Sequence, residues 1–168
     1  MSAFVRASDA LSRLFGAISM LLLAASVIVV SQMVFVRYAL GHSTTWQTEF
    51  VIYAVIASTF FGAPYVLMLR GHVGVDLLPH ALSPRHAKTL RLAASAVALA
   101  FCALVAYASG HFWYEAFSKG WRTDTVWAIP LWIPVLPLPA GMAMVCVQYV
   151  AEMLKPHEGP EFVESFGS

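Results

Sequence analysis

Four stretches of this chain carry no charged residue for long enough to cross a bilayer, and little sequence is left between them. Residues 14–36, 50–69, 92–114 and 126–151 contain no Asp, Glu, Lys or Arg. Twenty residues at a helical rise of about 1.5 Å cover about 30 Å, the hydrocarbon thickness of a membrane. Only helices and closed barrels satisfy their backbone in lipid, and runs of this length are helices rather than strands. The expected fold is therefore an all-α integral membrane protein of four transmembrane helices.

Composition agrees where it bears on function. Sixty per cent of the 168 residues are hydrophobic and 11% are charged, against about 25% charged in an ordinary soluble domain. A formal net charge of +1 supplies no basic patch, so nucleic acid is not an expected partner. The chain reads as one membrane domain, with spans near 14–36, 47–69, 92–114 and 130–151 and an acidic tail over 152–168. Cys102 and Cys146 lie inside apolar runs, form no C-x-x-C pair and read as small core residues.

The first run is too long for the apolar segment of a cleaved signal and reads as an uncleaved span. Arg37 and Tyr38 close it, a cation at a helix C-terminus and an amphipathic ring at the interface. Thr44 followed three residues later by Gln47 matches a capping box opening the second span, with Trp46 and Glu49 in its first turn. An Arg37–Glu49 charge pair could close that hairpin, and two separate interfacial charges are the alternative. Gly62 and Pro64 predict a kink within the second span. Arg70, His72 and Asp76 follow it, in a connection where Val75, Leu78 and Leu82 suggest a short interfacial helix.

The third run, crowded with alanine and carrying Ser95, Ser109 and Gly110, is expected to be a packing centre. Phe112, Trp113, Tyr114, Trp121, Trp127 and Trp132 predict an aromatic belt. Pro130, Pro134, Pro137 and Pro139 predict an irregular entry to the fourth span, with regular helix starting near Pro139. Lys and Arg are unevenly placed: Arg6, Arg13, Arg70, Arg85, Lys88, Arg91 and Lys155 fall on one side, Arg37, Lys119 and Arg122 on the other. The positive-inside rule places both termini in the cytoplasm.

Catalysis finds no handle. Five of the six histidines lie in connections or the tail, so a haem-binding bundle is not expected, and no paired cysteines stand outside the spans. No cofactor and no metal site is expected. A pump or channel acting alone would carry an ionisable group at bilayer depth, and the span centres have none. An accessory subunit needs none.

Taken in order, Arg37-Tyr38, Trp46 and Glu49, Phe61-Gly62, Arg70-Gly71-His72-Val73 with Val75-Asp76, Pro130-Leu131-Trp132 and Leu138-Pro139-Ala140-Gly141 resemble the small permease subunit of tripartite ATP-independent periplasmic (TRAP) transporters. Thr48-Glu49 stands where many relatives of that family have two acidic residues. The resemblance implies a non-enzymatic scaffold in the bacterial inner membrane. Its partners would be membrane lipids, a large permease subunit that moves solute with sodium, and a periplasmic binding protein that captures an organic acid. The candidate interface or structural residues are Arg37, Trp46, Glu49, Arg70, His72, Asp76, Pro130, Trp132 and Gly141. A four-span structural or anchor subunit of another membrane complex, such as a membrane enzyme, is the alternative.

Overall fold

A computed structural model describes residues 3–69 and 84–154, with side chains in the second segment from residue 93 onward. The helices are α1 (Ala3–Ala39), α2 (Trp46–Met68), α3 (Pro84–Ser118), the four-residue α4 (Trp132–Val135) and α5 (Pro137–Leu154). Among the described residues, four helical segments are long and apolar enough to cross a membrane, α4 and α5 together forming the fourth. The chain is an all-α integral membrane protein. Arg70, His72, Asp76 and the expected interfacial helix lie outside the described residues.

Helix α1 overruns its apolar run. α1 has 37 residues and extends about 55 Å at about 1.5 Å per residue, so its first turns, with Arg6, Asp9 and Arg13, project beyond a 30 Å core. The entry to the fourth span is irregular as expected, a single turn followed by a helix that starts at Pro137, two residues before Pro139. Prolines cost little in the first turn of a helix, where the N–H groups have no intrahelical acceptor anyway. Pro134 sits in the single turn of α4, and Pro137 and Pro139 open α5.

α1, α2 and α5 pack against one another, and α3 packs mainly on α5. The α1–α2 crossing uses small residues. A Cβ on Gly16 would lie 2.5 Å from the Tyr65 ring, and one on Gly62 would lie 2.9 Å from Ser19 Oγ. The Ser19 hydroxyl donates to the Ser58 carbonyl at 2.7 Å, and Phe15 meets Phe61 edge to face at 5.1 Å. Across the α2–α5 contact a Cβ on Gly141 would collide with the Phe60 carbonyl oxygen.

The expectation that the third span is the packing centre is overturned. Only 6% of its membrane-crossing window is buried, against 28% for the second and fourth spans. Nothing lies within 4 Å of a Cβ placed on Gly110. Small residues permit close approach but do not say from which side a neighbour comes, and this chain places a single large neighbour, α5, against α3.

Candidate interface site

The site is a cap over one end of the bundle, where the α3–α4 connection folds back onto the start of α2. α3 stops because Gly120, at φ +63°, takes the left-handed conformation that closes a helix. The Gly120 N–H donates to the Phe117 carbonyl and the Trp121 N–H to the Ala116 carbonyl, the paired bonds of a Schellman motif. The chain then doubles back: the Leu131 N–H donates to the Trp121 carbonyl at 2.8 Å and the Thr123 N–H to the Ile129 carbonyl at 3.0 Å, with Arg122 bridged to Pro130. Proline is tolerated in that bridge because the neighbouring Leu131 supplies the N–H. At the tip the Ala128 N–H donates to the Thr125 carbonyl, and Ala128 itself holds φ +46°. A left-handed alanine costs about 1 kcal/mol or more, so the tip conformation needs outside support.

Glu49 supplies it. Its side chain is buried in the first turn of α2. One carboxylate oxygen accepts from the Thr125 hydroxyl at 2.8 Å, the other from the Trp127 backbone N–H at 3.3 Å. Trp46, three residues earlier, meets Trp127 edge to face at 6.4 Å. The exposed tip residues Val126 and Trp127 are thereby held in one place.

The Arg37–Glu49 pair does not form. The Arg37 guanidinium donates instead to the Thr44 hydroxyl at 3.0 Å. Loop donors satisfy Glu49 and a hydroxyl one residue before the α2 cap satisfies Arg37, so the two charges have separate partners. The capping box at Thr44 and Gln47 is also absent. Thr45 is the N-cap residue, with φ −94° and ψ −54° and no side-chain cap bond. That helical conformation turns its hydroxyl away from the first-turn N–H groups, which a capping residue reaches from an extended backbone. Gln47 is buried, and its Oε1 has no hydrogen bond among the described residues.

Five of the six aromatic residues expected to form a belt make ring contacts at this end, in separate clusters, and Tyr114 is exposed without one among the described residues. Trp113 stacks on Phe117 at 5.8 Å, Phe117 meets Trp132 edge to face at 5.8 Å, and the Trp113 indole donates to the Trp132 carbonyl at 3.0 Å. Phe112 contacts Trp121, over which the Lys119 ammonium sits at 5.2 Å from the ring centre. Beneath the loop, Tyr53, Phe60, Phe112, Thr123, Leu131 and Leu138 line a cleft of about 260 Å³.

A second polar cluster, at the opposite end, has no counterpart in the sequence reading. Gln148 of α5 is fully buried. Its Oε1 accepts from the Ser8 and Ser12 hydroxyls at 2.7 and 2.8 Å, and its Nε2 donates to Asp9 and Glu152 at 3.0 and 3.1 Å. The available signals were a single amide in the charge-free run 126–151 and two serines four residues apart before the first one. Of the sequence candidates, Trp46, Glu49, Pro130 and Trp132 meet in the cap, Arg37 borders it, and Gly141 lies deeper on α5. Among the described residues no group of three or more His, Cys, Asp and Glu side chains could hold a metal ion.

Four helical segments long and apolar enough to cross a membrane, with no Asp, Glu, Lys or Arg within residues 14–36, 50–69, 92–114 and 126–151, define a multi-span membrane protein. The family model for tripartite ATP-independent periplasmic transporters, DctQ component, matches residues 25–158, and the chain belongs to that family of transporter components. It is similar to the C4-dicarboxylate TRAP transporter small permease protein DctQ of Vibrio cholerae serotype O1, 24% identical over 164 residues, which cover 79% of this chain and 71% of the relative. It is also similar to the protein of the same description from Rhodobacter capsulatus, 28% identical over 111 residues, 66% of this chain and 48% of that relative. No solved structure matches the chain.

Proposed function

We propose that this chain is the static membrane subunit of a tripartite solute importer, holding a large permease subunit in place without binding the solute itself. The observation that carries this reading is the placement of its polar groups. Glu49 and Gln148 spend their hydrogen bonds on neighbouring segments of the same chain, and the span centres contain no charged side chain. A translocating subunit binds solute and ions near the midplane on broken helices with free polar backbone. Here the broken segment at α4 packs through Trp132 on Phe117, among the aromatic residues at one end of the bundle.

The family supports a large permease and a periplasmic binding protein as partners, and the two relatives, both described as C4-dicarboxylate transporter subunits, support an organic acid as the solute. We assign sodium as the driving ion, the bacterial inner membrane as the location, and the cytoplasm as the side of both termini, the last from the seven-to-three division of Lys and Arg. The capped loop then faces outward, where Trp127 and Val126 are available to a docking protein. The chain is not assigned catalytic activity.

Uptake into vesicles tests the proposal. Transport should require this chain, the large subunit and the binding protein together, should follow a sodium gradient without ATP, and should keep its choice of solute when residues of this chain are changed. Transport by this chain alone, or uptake unaffected by its omission, would refute it.

A further inference from the structure

α3 and α5 meet along a seam that sets the chain's two cysteines opposite each other. On α3, Leu99, Cys102, Ala106, Ser109, Trp113 and Ala116 recur in steps of three and four and are buried or half-buried, while Ala103, Leu104, Tyr107 and Ala108 are exposed. α5 is the main neighbour of α3, so the covered stripe is the face turned to α5. On α4 and α5 the same steps run through Trp132, Val135, Pro139, Met142, Cys146 and Tyr149, each half-buried. The remaining faces of α5 are taken: Gly141 meets α2 at Phe60, and Gln148 meets α1 at Ser8 and Ser12. At about 100° per residue, Cys146 points about 140° away from Gly141 and about 160° away from Gln148, toward α3.

Register puts the two thiols at one level. Trp132 meets the Phe117 ring, and its carbonyl accepts from the Trp113 indole. α3 ends and α4 begins at the same loop, so the helices run antiparallel, and the backbone stays helical through Leu136. Cys146 lies fourteen residues beyond Trp132, and Cys102 lies eleven before Trp113 and fifteen before Phe117. These separations are about 21 Å along one helix and about 17–23 Å along the other. Cys102 accordingly acts electrostatically on both Cys146 and Tyr149, one turn apart on α5. Packed helices have axes about 8–10 Å apart and Cα atoms about 2.3 Å from each axis, so facing Cα atoms stand about 5 Å apart, a separation that a disulfide spans.

Depth selects the reagent. Cys102 is one residue from the middle of the charge-free run 92–114, and both thiols are free and only half-buried. Water-borne thiols and thioredoxins do not enter hydrocarbon, whereas a quinone dissolves in it. We propose that Cys102 and Cys146 are a redox pair at mid-membrane depth, closed to a disulfide by a lipid-soluble quinone. Both S–H bonds break and one S–S bond forms, and the two protons and two electrons released convert the quinone to its quinol. The bond would staple α3, which has α5 as its single large neighbour in this chain, to the rest of the bundle.

The test uses the full chain in membranes. A fully ring-substituted quinone, which oxidises thiols without adding to them, should leave both cysteines unreactive toward maleimide once the protein is unfolded, and a reductant should restore both. Trypsin cutting after Lys119 and Arg122 should then leave the fragments carrying Cys102 and Cys146 joined until reduction. In Cys102→Ser or Cys146→Ser the same treatment should leave the remaining thiol free. Copper phenanthroline, applied in parallel, reads the geometry without the quinone. If it fails to join the two thiols within one chain, or joins two copies of the chain instead, the seam is wrongly assigned. If it closes the bond and the quinone does not, or if the quinone consumes the single thiol of either variant, the quinone-linked pair is refuted.

Discussion

Replacing Glu49 should release the α3–α4 loop. The carboxylate is the described acceptor for the Thr125 hydroxyl and the Trp127 N–H. A hydrogen bond to a charged group is worth about 1.5–3 kcal/mol, and a donor that stays buried and unpaired costs more. Thr125 and Trp127 are exposed, so water replaces the carboxylate in part, and a total loss of about 2 kcal/mol is expected for Glu49→Ala. That corresponds to about a 30-fold larger population of open loop. Glu49→Gln keeps one acceptor oxygen, loses the charge, and should cost about 1 kcal/mol. The readout is cleavage by trypsin after Lys119 and Arg122 in purified protein, since the cleavage rate follows the open population when closing is faster than cutting. Thr125→Val combined with Glu49→Ala should be less damaging than the two single effects added, whereas Arg37→Ala with Glu49→Ala should add within about 0.5 kcal/mol because the two residues have separate partners. A cleavage rate for Glu49→Ala within twofold of wild type would show that the carboxylate does not hold the loop.

Gly141→Ala should lower the thermal unfolding midpoint in detergent, since its Cβ would press on backbone at Phe60, an overpacking cost of about 1–3 kcal/mol; Gly110→Ala, with nothing within 4 Å, should leave the midpoint unchanged or slightly raised. Gln148→Leu should destabilise the α1–α5 contact by about 1–2 kcal/mol in the same assay, and Ser12→Ala by less, because the amide serves four bonds and the serine one. Single cysteines placed at Ser43 and Val126 should be labelled in intact cells by an impermeant thiol reagent and one at Ser83 should not; the reverse pattern would invert the proposed orientation.

The spans and the crowding of aromatic residues at one end were legible because both follow from local composition. What failed was each inference about which group meets which. Glu49 and Arg37 are close in sequence and opposite in charge, yet the partners of Glu49 come from a loop 76 and 78 residues away. Thr44 and Gln47 have capping-box spacing, but the backbone at Thr45 is already helical and leaves the motif nothing to cap. The alanines of α3 announced a packing surface without saying that most of it faces away from this chain. Gln148 was overlooked because a lone amide in an apolar run gives no sign of its partners, three of which are 136 to 140 residues earlier.

Pro64 shows how α2 is kept still. Lacking an N–H, it leaves the Phe60 carbonyl without its helical donor, and a carbonyl so freed costs several kcal/mol if it faces lipid. α5 covers it with Gly141, whose hydrogen stands where a Cβ would collide with that oxygen. A side chain at this position would strike the Phe60 backbone, so only glycine allows the approach. On another face of α2 the Ser19 hydroxyl donates to the Ser58 carbonyl, and at its first turn Glu49 is tied to the loop. Helix α2 is thus gripped through its backbone by α1 and α5 at depth and through a carboxylate at its end. Sliding past either neighbour would expose the Phe60 carbonyl or drive a side chain into Gly141. A helix held in this way agrees with the static role proposed above.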